Sequence, residues 1–183
     1  MRTSTTRFDM RPLRVSDRAS YCNVLADPKV SGSLKLPVSP SSRAELSRMF
    51  EERRVECISG VSSRLAITLK RNGLFIGSIG SYPIDQERIG LSIWLSSEYH
   101  GQGFGTEALR GYCLPALESH GVQFIFANIA SSNMASLSVA RASGFSISKF
   151  VNDPGFGTVE GRVLLDIDRT RAKESRRLAI SEE

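Results

Sequence analysis

The stretch HGQGFGTEAL, His100 to Leu109, constrains this chain more than any other. Three glycines alternate with larger residues and lead straight into a run of helix formers. The segment before it, ERIGLSIWL, alternates as a strand and ends at Leu95. A glycine-rich passage from strand to helix has two readings. One is a plain turn in which glycine supplies steric room. The other is an anion cradle. The first amides of a helix lack intrahelical acceptors and carry partial positive charge, and glycine lets backbone approach a ligand. A dinucleotide-binding loop is the wrong pattern, because its third glycine falls on Thr106 and the strands before it look antiparallel. A P-loop needs a lysine that is not here.

The rest of the chain reads as strands and helices in turn. The spacing predicts a strand over Arg7 to Val15, then a helix to Leu25 with Ser16-Asp17 as its N-cap. Asp27-Pro28 breaks that helix, and Val30 to Ser42 reads as a long loop. A helix from Arg43 to Ile58 follows, with Leu46, Met49, Phe50 and Val55 at helical spacing and Gly60 closing it. SRLAITLK, LFIGSIGSYPI and ERIGLSIWL form a meander, the first two joined at Asn72-Gly73. After the glycine loop comes a helix from about Gly105 to Ser119, capped at Gly121. VQFIFANIA is nearly all apolar and reads as a strand buried on both faces. SSNMASLSVARASGF supplies a cap, a short helix and a stop at Gly144. Two strands follow, Ser146 to Val151 and Val159 to Asp168, around the loop NDPGFGT. The predicted class is α+β, a mixed sheet with helices on its faces.

Composition narrows the function classes. The chain has 183 residues, 40% of them hydrophobic, which fits one domain with a real core. We expect residues 1–170 to form it and the charged stretch 171–183 to be a frayed, solvated tail. No apolar run reaches the length of a membrane span, and MRTSTTRFDMRPLRV lacks the apolar core of a secretory signal. Cys22, Cys57 and Cys113 have no paired or metal-like spacing, so reduced cytoplasmic thiols are expected and no metal. The net charge of +5 fits nucleic acid or a small polyanion equally. Its arginines and lysines are scattered without interleaved aromatics, which argues against nucleic acid.

With its neighbours included, the glycine stretch resembles the GNAT superfamily of N-acetyltransferases. That family's coenzyme A signature is Gln or Arg, two free positions, Gly, one free position, then Gly or Ala, between its fourth strand and the next helix. His100-Gly101-Gln102-Gly103-Phe104-Gly105 fits except at the first residue. LSIWLSSEYHGQGFGTEAL is similar to the branch holding ribosomal-protein N-terminal and spermidine acetyltransferases. ANIASSNMASLSVARASGF resembles a second motif of that branch, through Asn133, Ser136, Gly144 and Phe145. The clear resemblance covers Gly77 to Phe145.

The resemblance implies a central, mostly antiparallel sheet, splayed between the family's fourth and fifth strands and flanked by helices. Acetyl-CoA is the implied co-substrate. Backbone at Ile93 and Leu95 would pair with the pantetheine arm, and an amide near Ile93 would polarise the thioester. Amides of Gln102, Gly103, Phe104, Gly105 and Thr106 would hold the pyrophosphate. Asn133 would bond the arm, or simply cap its helix. Ser136 would assist the departing thiolate. Many members place a tyrosine where Ala140 stands and a base glutamate where Gly90 stands. Glu87 is then the nearest candidate base, acting through water, with Glu98, Tyr99 and His100 beside the loop. Apart from the resemblance, a cysteine acyl-enzyme is the other mechanism, but Cys113 reads as core within its helix and Cys22 and Cys57 also sit in helical, partly apolar contexts. Trp94 would line an acceptor pocket or pack in the core. The expected reaction is acetyl transfer to a primary amine, on a peptide N-terminus or a small molecule, by direct transfer. A silent acyl-CoA-binding module and a nucleic-acid-binding domain are the competing classes. The early helices, the Val30 to Ser42 loop and NDPGFGT would shape the acceptor site, and homodimers occur in the family. Near-balanced charge in the early region argues against a polyamine.

Overall fold

Alternation of apolar and polar residues builds the sheet, and in the computed structural model eight strands form it among the described residues. The structure describes residues 1–181 except 35, 37, 61 and 152–160. The strands are β1 (Thr3–Ser4), β2 (Phe8–Pro12), β3 (Ser63–Leu69), β4 (Phe75–Pro83), β5 (Arg88–Leu95), β6 (Phe124–Ala130), β7 (Ser146–Val151) and β8 (Arg162–Asp168). Their spatial order is β1-β2-β3-β4-β5-β6-β8-β7, so the last strand in the chain lies between β6 and β7. Pairs β1–β2, β2–β3, β3–β4, β6–β8 and β7–β8 are antiparallel, and β5 pairs β6 in parallel through Arg88, Ile89 and Gly90. The helices are α1 (Arg18–Ala26), α2 (Pro28–Ser31), α3 (Arg43–Ile58), α4 (Phe104–His120), α5 (Met134–Ala142) and α6 (Arg169–Ser181). The chain divides into two compact units, Met1–Tyr82 with Ser92–Gly105, and Pro83–Leu91 with Thr106–Glu183.

In the first unit, α1 and α3 cover β3 and β4. Their apolar faces enclose Tyr21, Leu25, Leu46, Met49, Phe50, Phe75 and Trp94. Trp94 meets the Tyr21 ring edge-on with centroids 5.0 Å apart and lies 5.9 Å from Phe75, so it packs in the core. The predicted Arg43–Ile58 helix matches α3, with Ser42 accepting from the Glu45 amide, although Val55 points outward. Asp17 stands at the N-cap of α1 as predicted, after a 3₁₀ turn at Val15–Asp17, but its side chain makes no capping bond there. Asp17 turns inward instead and accepts from both terminal nitrogens of Arg11 at 2.8 Å and from the Arg14 amide at 2.7 Å. Part of the expected Val30–Ser42 loop is the end of α2, which Asp27 caps through the Lys29 amide.

In the second unit, α4 and α5 bury Leu109, Tyr112, Cys113, Leu117, Leu137 and Ala140 with Ile125, Leu165 and Ile167 of the strands. Helix α4 runs on through Pro115, which forfeits one backbone bond without ending it. Strand β6 is buried on one face only. Ile125 and Ala127 point inward, whereas Phe124 and Phe126 stay half exposed. The apolar run misled because two phenylalanines on an open face read like core. Where a frayed tail is expected, Arg169–Ser181 forms α6, with Ala172 and Ser175 buried. The NDPGFGT loop lies outside the described residues.

Candidate functional site

The glycine loop begins where β5 ends, and its shape follows from where glycines stand. Gly101 (φ 71°) and Gly103 (φ 77°) both adopt the left-handed conformation that side chains resist. A Cβ at Gly101 would meet nothing within 4 Å, so it is the backbone turn, not crowding, that requires glycine there. Gly105 is already inside α4, which starts at Phe104. Gly101, Gln102 and Gly103 are exposed, and the backbone passes from them into the first turn of a helix of 17 residues. Exposed amides at the positive end of a long helix suit an anion such as a pyrophosphate.

Several contacts within the first unit hold this loop. The Ser96 amide donates to the Ile76 carbonyl at 2.7 Å, and Ser97 Oγ donates to Asp27 Oδ2 at 2.6 Å. His100 Nε2 lies 3.0 Å from the Leu95 carbonyl. A carbonyl only accepts, so Nε2 carries the hydrogen and the ring serves as a loop strut. Gln102 Nε2 turns back to the Glu98 carbonyl at 2.6 Å. The Phe104 ring is buried against Phe8, 5.9 Å away and stacked, and against Tyr99, 5.2 Å away and edge-on. Arg7 completes the set. Its guanidinium lies 3.8 Å from the Phe104 ring centroid, and Nη1 donates to the Gln102 carbonyl at 2.9 Å. Arg7 and Asp27 escaped the sequence reading because they stand 95 and 70 residues from their partners. Ile93 is half buried on β5, and Leu95 is buried.

The second unit holds the other candidates. Asn133 caps α5, its Oδ1 accepting from the Ser136 amide at 3.0 Å. That bond uses the carbonyl of the Asn133 side chain and leaves its amide nitrogen outside the cap. Ser136 sits half buried in the first turn of α5. The Thr106 carbonyl accepts from Ser143 Oγ at 3.4 Å, at the far limit for such a bond. Ala140, at the usual tyrosine position, is 2% exposed and is core. Gly90 is buried in the parallel pairing with Phe126. Glu87 lies just before β5, exposed, with Gln123 Nε2 donating to its Oε1 at 3.3 Å. It belongs to an open concavity of about 520 Å³ lined by Asp85, Arg88, Phe124, Phe126 and Asp166. Asp85 is paired there with Arg88, and Asp166 with Arg171, so the groove is not an open cation trap.

Cys113 is fully buried, and burial pushes its thiol well above the usual range, which removes the thiolate that a covalent route needs. Among the described residues no group of three or more His, Cys, Asp or Glu side chains could hold a metal ion. None of the described helices is long and apolar enough to cross a membrane.

Comparison with known proteins gives a consistent result. A family model described as an acetyltransferase (GNAT) domain matches residues 7–146. No curated protein is similar enough in sequence to count as a match. Among solved structures, an acetyltransferase (GNAT family) from Bacillus anthracis gives a TM-score of 0.81 at 13% identity, covering 93% of this chain and 99% of that one. RimJ of Mycobacterium smegmatis, in complex with CoA-disulfide, gives 0.78 at 16%, covering 99% and 95%. The microcin C7 self-immunity acetyltransferase MccE, in complex with acetyl-CoA and AMP, gives 0.78 at 14%, covering 90% and 93%. At such identities the likeness is one of fold.

Proposed function

Because the chain belongs to the GNAT acetyltransferase family, whose domain spans residues 7–146, we propose that it transfers the acetyl group of acetyl-CoA to a primary amine. The acceptor is a peptide N-terminus or a small molecule in the cytoplasm, and transfer is direct within a ternary complex. The observation that carries this reading is the loop at Gly101 and Gly103, turned by two left-handed glycines into the first turn of α4. Its exposed backbone fits a pyrophosphate, and contacts from Arg7, His100 and Phe104 brace it.

Amides from Gln102 to Thr106 would hold the pyrophosphate. Backbone at Ile93 and Leu95 would align the pantetheine arm. The side-chain amide of Asn133, which its cap does not use, would donate to the same arm. When bound, acetyl-CoA supplies an activated thioester. Ser136 would donate a hydrogen bond to the leaving sulfur, and Glu87 would take the amine's proton through water. The buried state of the Cys113 thiol supports direct transfer over an acyl-enzyme. A silent acyl-CoA-binding module is the second reading, favoured by Gly90 where the family often has its base and by Ala140 where many members have a tyrosine.

The test is thiol release from acetyl-CoA with a panel of amines and N-terminal peptides, beside calorimetric binding of acetyl-CoA. We expect turnover with at least one amine. Gly103→Glu should abolish both binding and turnover by placing a carboxylate in the cradle. Ser136→Ala should lower kcat about tenfold or more with binding intact. Glu87→Gln should lower kcat about tenfold or more with acetyl-CoA binding intact. Binding without turnover on any amine would favour the silent module, and no binding would refute the cradle.

A further inference from the structure

We infer that Arg7 is a positioning residue for the coenzyme loop, and that it sets affinity for the phosphorylated end of acetyl-CoA. The inference rests on the reading that this loop binds the pyrophosphate. Three observations converge on one side chain, all within the first unit. The Arg7 guanidinium carbon lies over the Phe104 ring, 3.8 Å from its centroid. Its Nη1 donates to the Gln102 carbonyl at 2.9 Å. Its Nη2 stands 3.5 Å from where a Cβ on Gly103 would be. Arg7 therefore touches Gln102 and Phe104 and borders the glycine between them.

The chemistry explains why a clamp is needed there. Gly103 has a left-handed φ of 77° and no side chain to limit its backbone, so its peptide planes depend on contacts from elsewhere for their orientation. When a carbonyl is held by a guanidinium, the peptide plane that carries the next amide is held too. The bond from Arg7 to the Gln102 carbonyl thus aims the Gly103 amide. Stacking on Phe104, itself pinned by Phe8 and Tyr99, fixes the guanidinium in turn. The planar fork both stacks and donates, which a lysine ammonium cannot do. The cation also raises the local potential for an incoming polyanion.

The test compares two acetyl donors on wild type, Arg7→Met and Arg7→Lys. Acetyl-CoA carries the pyrophosphate, and acetyl-pantetheine lacks it. Arg7→Met should raise the KM and the calorimetric Kd for acetyl-CoA about tenfold, with kcat little changed. Its kcat/KM with acetyl-pantetheine should stay within about twofold of wild type. Arg7→Lys should recover only part of the acetyl-CoA affinity, because charge returns without the stacked fork. Unchanged acetyl-CoA affinity in Arg7→Met overturns the inference. So does an equal loss on both donors, which marks a general effect on the fold, and so does full recovery in Arg7→Lys. A wild-type protein that binds no acetyl-CoA overturns the reading of the loop itself, a result separate from any of these.

Discussion

Replacing Gly77 with alanine tests how tightly β4 holds the end of β5. An added Cβ would lie 2.3 Å from the Trp94 carbonyl oxygen, 2.8 Å from Leu95 Cδ2 and 2.9 Å from Leu95 Cα. Carbon–oxygen contacts settle at about 3.3 Å or more, so roughly 1 Å must open between the strands. Two of the three atoms are backbone and no rotamer change relieves them. Overpacking of this kind costs about 3 kcal/mol, at the upper end for one added methyl. In a chain of this length that is a fall of roughly 6–12 °C in Tm. Gly60→Ala is the control, since Gly60 has φ 78° and open space around it. Only the left-handed backbone penalty applies there, about 1 kcal/mol. Thermal unfolding followed by circular dichroism reads both variants. Because Leu95 is proposed to align the pantetheine arm, Gly77→Ala should also weaken acetyl-CoA binding, whereas Gly60→Ala should not. Equal Tm losses in the two variants, or no loss in Gly77→Ala, would refute the steric argument.

Three further outcomes follow from the same structure. Asp17→Ala should destabilise the fold by about 3 kcal/mol in urea titration, because it strands the Arg11 guanidinium, whose side chain is 15% exposed; a loss under about 1 kcal/mol would mean that the pair is not a structural tie. Hydrogen bonds from Ser97 Oγ and the Lys29 amide hold Asp27 below the ordinary carboxylate range. Its folded pKa is depressed, so its contribution is complete above the unfolded value and is lost as pH falls through the lower folded one. Ser97→Ala should therefore move the Asp27 titration upward by NMR, and an unmoved midpoint would contradict the bond. In the folded protein Cys113 should resist a thiol reagent at pH 8 until urea is added, and Cys113→Ala should keep its turnover; rapid modification without unfolding would reverse our view of the direct route.

Much of the fold was legible because it is written in short windows. Leu46, Met49 and Phe50 recur at helical spacing, and they became the buried face of α3 with the predicted bounds. Asn72-Gly73 and Gly121 announced turns, and Gly73 and Gly121 adopt left-handed φ as such turns require. The family was legible for the same reason, since its two motifs are contiguous strings. Less legible were features whose causes are remote. Asp17 reads as a cap by its local neighbours, yet Arg11 on β2 draws it inward into an ion pair. The charged run after Asp168 reads as a loose end, yet Ala172 and Ser175 give α6 a side to bury.

By itself, then, the sequence determined the order and type of the elements from β2 to β8 apart from the short α2, the glycine-led turn from β5 into α4, and the family. Periodicity, backbone propensity and contiguous motifs act over a few residues and can be read without knowing what lies across the fold. Only the tertiary structure decided that β8 inserts between β6 and β7, that Phe124 and Phe126 stay half exposed, and that Trp94 joins the core. It alone brought Arg7 onto Phe104 and Asp27 onto Ser97. Such contacts join residues far apart in the chain, and they become favourable only once the intervening segments have packed and the entropy of closing those loops has been met.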